Sequence, residues 1–199
     1  MKNFSLIGAG GHCRSVIALL ENCSMGVEGI FDDSFQTGEI ILGAPVKGKI
    51  AEANGPLILA LGDNKKREKA FLSLREQIYS GNIFHTTSSR EKHITVGSSN
   101  LFFAFSYLNN GVSIGDNNII NTRATLEHEV KLGSHNHVAV GAILLGRSTL
   151  GNRCFIGSGA IIKDGVSVCD DVVIGANSFV NENITLPGTY VGSPARKIP

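Results

Sequence analysis

From residue 96 onward an apolar residue returns at every sixth position: Val96, Phe102, Leu108, Ile114, Ile120, Leu126, Leu132, Val138, Leu144, Leu150, Ile156, Ile162, Val168, Ile174, Val180 and Leu186. With 42% of the chain apolar, an unbroken run of this length arises by chance about once in a million trials. The column one residue later holds Gly97, Gly115, Gly133, Gly151, Gly157 and Gly175, and the column four later is mostly small, with Ser106, Ala124, Ala142, Ser148, Cys154, Ala160 and Ser178. An α-helix needs a period near 3.6 and a single amphipathic strand a period of 2, so neither accounts for a period of six. Three short strands per coil of about 18 residues do, each sending one large side chain inward. The expected structure is a triangular parallel β-solenoid of about five coils, with small residues at the corners and glycine where the backbone turns at positive φ.

The first 84 residues carry a different pattern, alternating strand and helix. Phe4-Ser5-Leu6-Ile7 runs into Gly8-Ala9-Gly10-Gly11-His12, and residues 15–21 place Val16, Ile17, Leu19 and Leu20 at helical spacing. Residues 27–31 form a second strand closed by Asp32-Asp33, and residues 57–61 a third closed by Gly62-Asp63-Asn64. A helical run over 65–78 follows, with Ala70, Phe71 and Leu74 on one face. Strands separated by helices predict a small, Rossmann-like parallel sheet whose ligands bind beyond the carboxyl ends of the strands. The domains expected are therefore residues 1–84, α/β, and residues 85–199, the solenoid.

Composition narrows the chemistry. The 199 residues carry 18 Lys+Arg against 17 Asp+Glu, a net charge of +1 that supplies no basic field for nucleic acid. No apolar run approaches the roughly 18 residues that span a bilayer, so neither a membrane nor a nucleic acid is an expected partner and the expected location is cytoplasmic. The four cysteines, Cys13, Cys23, Cys154 and Cys169, form no CxxC pair, which suits a reducing compartment without disulfides or a zinc knuckle.

Two segments offer chemistry. The turn Gly8-Ala9-Gly10-Gly11-His12, between strand and helix, suits an anion facing backbone N–H groups and the helix dipole. Cys13 stands where a dinucleotide fingerprint needs its last glycine, and a module this small lacks the second half of a nicotinamide-binding fold. Glu127-His128-Glu129 follows the inward Leu126 and so sits near a solenoid corner. A histidine flanked by carboxylates is suited to taking a proton near neutral pH, and a solvated corner histidine is the plain alternative. His135 is expected to be exposed, and Lys65, Lys66 and Arg67 to be a solvated helix start.

Together the hexads, the glycine turn, Glu127-His128-Glu129 and the ending Val191-Gly192-Ser193-Pro194-Ala195-Arg196 resemble the left-handed β-helix acyltransferases of bacterial sugar biosynthesis. The branch most similar contains UDP-N-acetylbacillosamine N-acetyltransferase and the sialic acid O-acetyltransferases. The resemblance covers nearly the whole chain and implies left-handed coils, a homotrimer with intersubunit active sites, acetyl-CoA between adjacent β-helices and a nucleotide-sugar, UDP-linked by preference, on the N-terminal domain. It implies N-acetylation of a 4-amino-4,6-dideoxy sugar with His128 as general base and Glu129 as the partner of its other ring nitrogen. Asn121, His137, Gly146, Gly157 and Gly175 would then line the acetyl-CoA channel. Gly10, Gly11 and His12 would lie near the sugar and diphosphate, and Asp32, Asp33 and Gly62 near the base or ribose.

Three other readings fit parts of the pattern. A sialic acid hydroxyl would serve as acceptor for the same base. A zinc enzyme of the γ carbonic anhydrase kind is suggested by His93 and His128, which lie 35 residues apart, close to two coils; its last two ligands lie about five apart, whereas His135 and His137 follow His128 by seven and nine. A noncatalytic scaffold would need only the hexads. No metal is expected.

Overall fold

The computed structural model describes residues 2–199. Its N-terminal part contains β1 (Asn3–Ile7), α1 (Gly11–Asn22), β2 (Gly26–Phe31), β3 (Ile40–Ile41), β4 (Ala44–Gly48), β5 (Leu57–Leu59) and α2 (Asn64–Ser73). The sheet order is β3-β4-β2-β1-β5, parallel except for the β3–β4 pair. The β3–β4 hairpin escapes the sequence pattern because β3 has only two residues and Leu42 and Gly43, both at positive φ, turn the chain directly into β4. Helix α2 ends at Ser73 rather than continuing to residue 78, because the chain turns back so that Ile78 bridges Leu57.

Seventeen short strands, from Ile83–Phe84 to Phe179–Val180, wind at three per coil into between five and six coils. They build three parallel sheets in an 18-residue register, as in Ile119↔His137↔Phe155 and Tyr107↔Thr125↔Ile143. The inward column from Phe102 to Val180 is buried throughout, with the small column beside it. It fails at its last member. Leu186 is 61% exposed, and Ile184 takes the inward place by bridging Val168, because the coil after Val180 is cut short before strand Gly188–Val191.

The glycine column has a different cause from the one expected. Positive φ falls two residues later, at Ser99, Phe105, Gly111, Asn117, Arg123, Glu129, His135, Gly141, Arg147 and Arg153, one per corner. Gly97, Gly115, Gly133 and Gly151 instead stand where a Cβ would strike the next coil: at Gly115 it would lie 2.9 Å from the Gly133 carbonyl oxygen. Close approach of backbones, not handedness of the turn, demands glycine there.

The small column also contains an asparagine ladder. Asn118 Nδ2 donates to the Gly133 carbonyl at 3.0 Å, while its Oδ1 accepts the Asn136 N–H at 2.7 Å; Asn100 and Asn136 repeat the motif one coil to either side. Each buried amide thereby satisfies backbone groups that the corner would leave unpaired.

One outer face of the solenoid is apolar, and the α/β part docks on it. Leu101, Phe103 and Ile119 point outward yet are buried with Phe4, Leu6, Ile58 and Ile83 in one core. Among the described residues no helix is long and apolar enough to cross a membrane.

Candidate functional site

The docking brings the strand-end loops of the α/β part against one solenoid face. Gly8, at φ +105°, passes so close to the β5 end that a Cβ would lie 2.6 Å from Leu61 Cδ2, which explains a glycine there. Gly10 and Gly11 open α1, and a Cβ at either would meet nothing within 4 Å. The space in front of this helix N-terminus is therefore open.

Asp32 braces this turn rather than standing free: its Oδ2 accepts the Ala9 N–H at 2.8 Å and its Oδ1 the Ser34 N–H at 2.7 Å. Asp33 Oδ1 accepts the Ile50 N–H at 3.0 Å. Both acids line a cleft of about 380 Å³ with Ser34, Leu61, and Lys66 and Lys69 of α2.

His12, from the first turn of α1, lies 5.7 Å between centroids from the His137 ring and 5.6 Å from Phe103. Its Nε2 is buried without a hydrogen-bond partner among the described residues. Burial first, then His137 and Arg67, hold its pKa down to about 3, so the ring is neutral. Gly62 lies beside it: a Cβ there would be 3.5 Å from His12 Cβ.

The tautomer of His137 follows from its neighbours. Thr122 N–H donates to Asn121 Oδ1 at 2.8 Å, so the amide nitrogen of Asn121 faces His137 Nε2 at 3.1 Å. Nε2 must then accept, and the ring proton sits on Nδ1, which donates to the Gly62 carbonyl at 3.3 Å. Burial and the Arg67 charge hold the His137 pKa down to about 4. Phe155, one coil on, packs edge-on against the ring at 5.1 Å.

Arg67 overturns the expectation of a solvated helix start. It is 1% exposed, and its five N–H groups meet the carbonyls of Leu61, Gly62, Asn117, His135 and Asn136 and the Asn64 side chain. The sequence concealed it because Lys65-Lys66-Arg67 reads as one charge run, whereas helical rotation turns only the third inward. His135 is likewise buried, not exposed. At φ +63° on a corner, it packs edge-on against Phe71 at 5.4 Å and holds Asn117 Nδ2 at 2.8 Å from its Nδ1.

His128 and Glu129 occupy a different corner. Strand Thr125–Leu126 precedes them and Lys131–Leu132 follows, on two faces other than the one carrying His137–Val138. His128 Nδ1 lies 3.3 Å from Glu129 Oε2, with both side chains open to solvent. Glu127 turns away, accepting Asn109 Nδ2 at 2.6 Å. Gly146, one coil on, yields its side-chain space to the His128 ring: a Cβ would overlap Cε1 and Nε2.

The predicted residues therefore form two groups within one chain. Gly10, Gly11, His12, Gly62, Asn121 and His137 gather at the domain junction, with the Asp32–Asp33 cleft beyond the turn; His128, Glu129 and Gly146 share a separate corner. Gly157 and Gly175 are packed inside the solenoid wall, Gly157 with its Cβ position 2.6 Å from Ala176 N and Gly175 with its own 2.7 Å from Val191 Cγ1. Among the described residues no three His, Cys, Asp or Glu side chains are arranged to hold one metal ion.

Comparison with known proteins agrees with this architecture. Residues 3–74 match the PglD N-terminal domain family, and residues 149–182 match the hexapeptide repeat of succinyl-transferase. PerB from Caulobacter crescentus, solved in complex with CoA and GDP-perosamine, is 28% identical, with a TM-score of 0.92 over 100% of this chain and 98% of that one. The acetyltransferase domain of PglB from Neisseria gonorrhoeae, in complex with acetyl coenzyme A, is 25% identical, with a TM-score of 0.91 over 99% of each chain. WeeI from Acinetobacter baumannii shares the fold, at 21% identity and a TM-score of 0.87 over 100% of each chain. An uncharacterised protein of Acanthamoeba polyphaga mimivirus is 37% identical over 68 residues, so the chain spans only 14% of the length of that curated relative.

Proposed function

We propose, from the likeness to hexapeptide-repeat sugar acyltransferases, that this chain transfers the acetyl group of acetyl-CoA to the amine of a nucleotide-linked 4-amino-4,6-dideoxy sugar. The observation that carries this reading is the His128–Glu129 pair, seated over Gly146 on a solvent-open corner of the solenoid. The sugar amine attacks the thioester carbonyl carbon, His128 takes the proton released as the C–N bond forms, and the C–S bond breaks to give CoA. Glu129 accepts a hydrogen bond from His128 Nδ1–H, which leaves Nε2 as the basic nitrogen and stabilises the imidazolium. The proton then passes to the departing sulfur.

The acceptor sits at the carboxyl ends of β1, β2 and β5. The open N-terminus of α1 suits the diphosphate, and Lys66 and Lys69 beside Asp32 and Asp33 suit the rest of the nucleotide. The resemblance to the UDP-N-acetylbacillosamine branch favours a UDP carrier, and the GDP-perosamine complex of PerB brings a GDP carrier beside it. At the other half of the site, Asn121 keeps one amide proton after its bond to His137; that proton, and the Gly146 N–H on the His128 side, are the donors for the charge developing on the thioester oxygen.

The two groups of residues lie on different corners of one chain, which supports a homotrimer in which His128 of one copy faces the Asn121–His137 group of the next. Mixing His128→Ala and Asn121→Ala proteins tests this. Restored turnover in mixed trimers supports the intersubunit site, and no restoration after verified subunit exchange contradicts it. The reaction itself is tested by thiol release that depends on a 4-amino sugar nucleotide.

A further inference from the structure

We propose that Arg67 is a positioning residue that selects the working tautomer of His137 by holding the Gly62 carbonyl against His137 Nδ1. The chain of contacts is continuous: Arg67 Nη1 donates to the carbonyls of Leu61 and Gly62 at 3.2 and 3.4 Å, and Gly62 accepts the His137 Nδ1–H at 3.3 Å. His137 Nε2 then accepts from Asn121, whose orientation is fixed by the Thr122 N–H.

Arg67 is equipped to do this because it also grips the solenoid. Its Nη2 donates to the His135 and Asn136 carbonyls at 2.8 and 3.0 Å, and its Nε to Asn117 at 3.2 Å. One guanidinium therefore ties the loop carrying Gly62 to the coil carrying His137, residue by residue. All its partners are carbonyls or the Asn64 amide, never a carboxylate, so the group keeps a net positive charge in the junction. The rigid guanidinium fork has five N–H donors and reaches six acceptors because one Nη2 proton is shared between two of them.

The groups facing His137 are few. His12 approaches from α1 and Arg67 from α2, while Asn121 and Phe155 on the solenoid are uncharged; His135, two residues earlier, turns instead to Phe71 and Glu68. Neither His12 nor Arg67 favours a protonated His137, which agrees with its lowered pKa.

The consequence for turnover rests on the acetyltransferase reading, since it requires Asn121 to be held toward the thioester; the tautomer does not. The test uses full-length protein labelled with ¹⁵N-histidine, with His137 assigned by loss of its signals in His137→Gln. Wild type is expected to show a single species, protonated at Nδ1 and bare at Nε2, that does not titrate down to about pH 5. Arg67→Met is expected to mix the two tautomers and to raise the titration midpoint. Arg67→Lys, which keeps the charge but cannot reach every acceptor, is expected to mix the tautomers while the midpoint stays low, and it decides the matter should the methionine variant not fold.

Glu68→Gln weakens a different tie across the junction, the Glu68–Arg153 pair at 3.1 Å, and is expected to leave the His137 spectrum as in wild type. A wild-type spectrum in folded Arg67→Lys, or equal mixing in Glu68→Gln, overturns the proposal. In turnover, Arg67→Lys is expected to lower kcat/KM for acetyl-CoA by about 10- to 100-fold, the scale of a misplaced catalytic group. A wild-type protein inactive with every amino sugar would defeat the acetyltransferase reading, and the spectra would still decide the role of Arg67.

Discussion

The ring of His128 fills the space in which a side chain at Gly146 would begin. The two residues are 18 apart, one coil, so the solenoid register alone stacks one above the other. Glycine at 146 is thereby a steric requirement of the histidine rather than of the backbone, since Gly146 is not at positive φ.

Gly146→Ala is expected to push the His128 ring off its position, because the added carbon also lies 3.0 Å from Asp164 Oδ2 and has nowhere else to go. Turnover should fall by about 10²-fold, within the range ascribed to a general base, while the thermal midpoint barely changes. Equal kcat in variant and wild type would detach Gly146 from the chemistry.

Glu129 contributes through charge as well as position. Glu129→Gln keeps the side-chain shape on a corner at φ +60° and removes the negative charge 3.3 Å from His128 Nδ1. Hydrogen bonds to charged groups contribute about 1.5–3 kcal/mol, and the solvent exposure of this pair places it at the low end. A fall in kcat of about tenfold, with KM for both substrates unchanged, is the expected steady-state result, and a kcat equal to that of wild type would remove Glu129 from the mechanism.

The two glycine-related columns should respond oppositely to substitution. Gly115→Ala forces a carbon to 2.9 Å from the Gly133 carbonyl and is expected to destabilise by about 1–3 kcal/mol, as overpacking does. Arg123→Gly, at an exposed corner with φ +58°, removes a left-handed strain of about 1–2 kcal/mol and is expected to be neutral or mildly stabilising. Denaturant midpoints of the two proteins check this, and a reversed order would refute the account of the columns.

These columns also show what was readable in advance. The inward hexads are a packing rule with one residue type per position, so the pattern survives in the sequence and failed only at Leu186, where the last coil is truncated. The glycine column was visible, but its cause was not, because close backbone approach and positive φ demand the same residue. His128 with Glu129 was legible as a pair of neighbours in the chain. Arg67 was not, since the solenoid partners that bury it are backbone carbonyls 50 to 69 residues away, which leave no mark on residue identity. Its spacing, three residues after Asn64 and four before the apolar Phe71 on one helical face, was the available signal.

Stability should depend on pH through the junction histidines. Burial and then Arg67 hold His137 to about 4 in the folded protein, against 6.5 ordinarily. Between those values the unfolded chain binds a proton that the folded one refuses, so stability is full above about pH 6.5 and is lost as the pH falls toward 4. His12, held to about 3, acts in the same direction. Each group weighs about 1.4 kcal/mol per pH unit across its window. The thermal midpoint should therefore drop from pH 7 to pH 4.5 and drop less in His137→Gln; the same slope in both proteins would contradict the assignment.

The most direct test of the central claim is the initial rate of CoA release from acetyl-CoA with UDP-, GDP- and dTDP-linked 4-amino-4,6-dideoxy sugars, and with sialic acid, for wild type and His128→Ala side by side. The account predicts release that depends on one amino sugar nucleotide and that falls by about 10²–10⁴-fold in His128→Ala, although that variant still binds acetyl-CoA. Release supported by sialic acid alone would move the acceptor to a hydroxyl, and undiminished release in His128→Ala would contradict the assignment of the base.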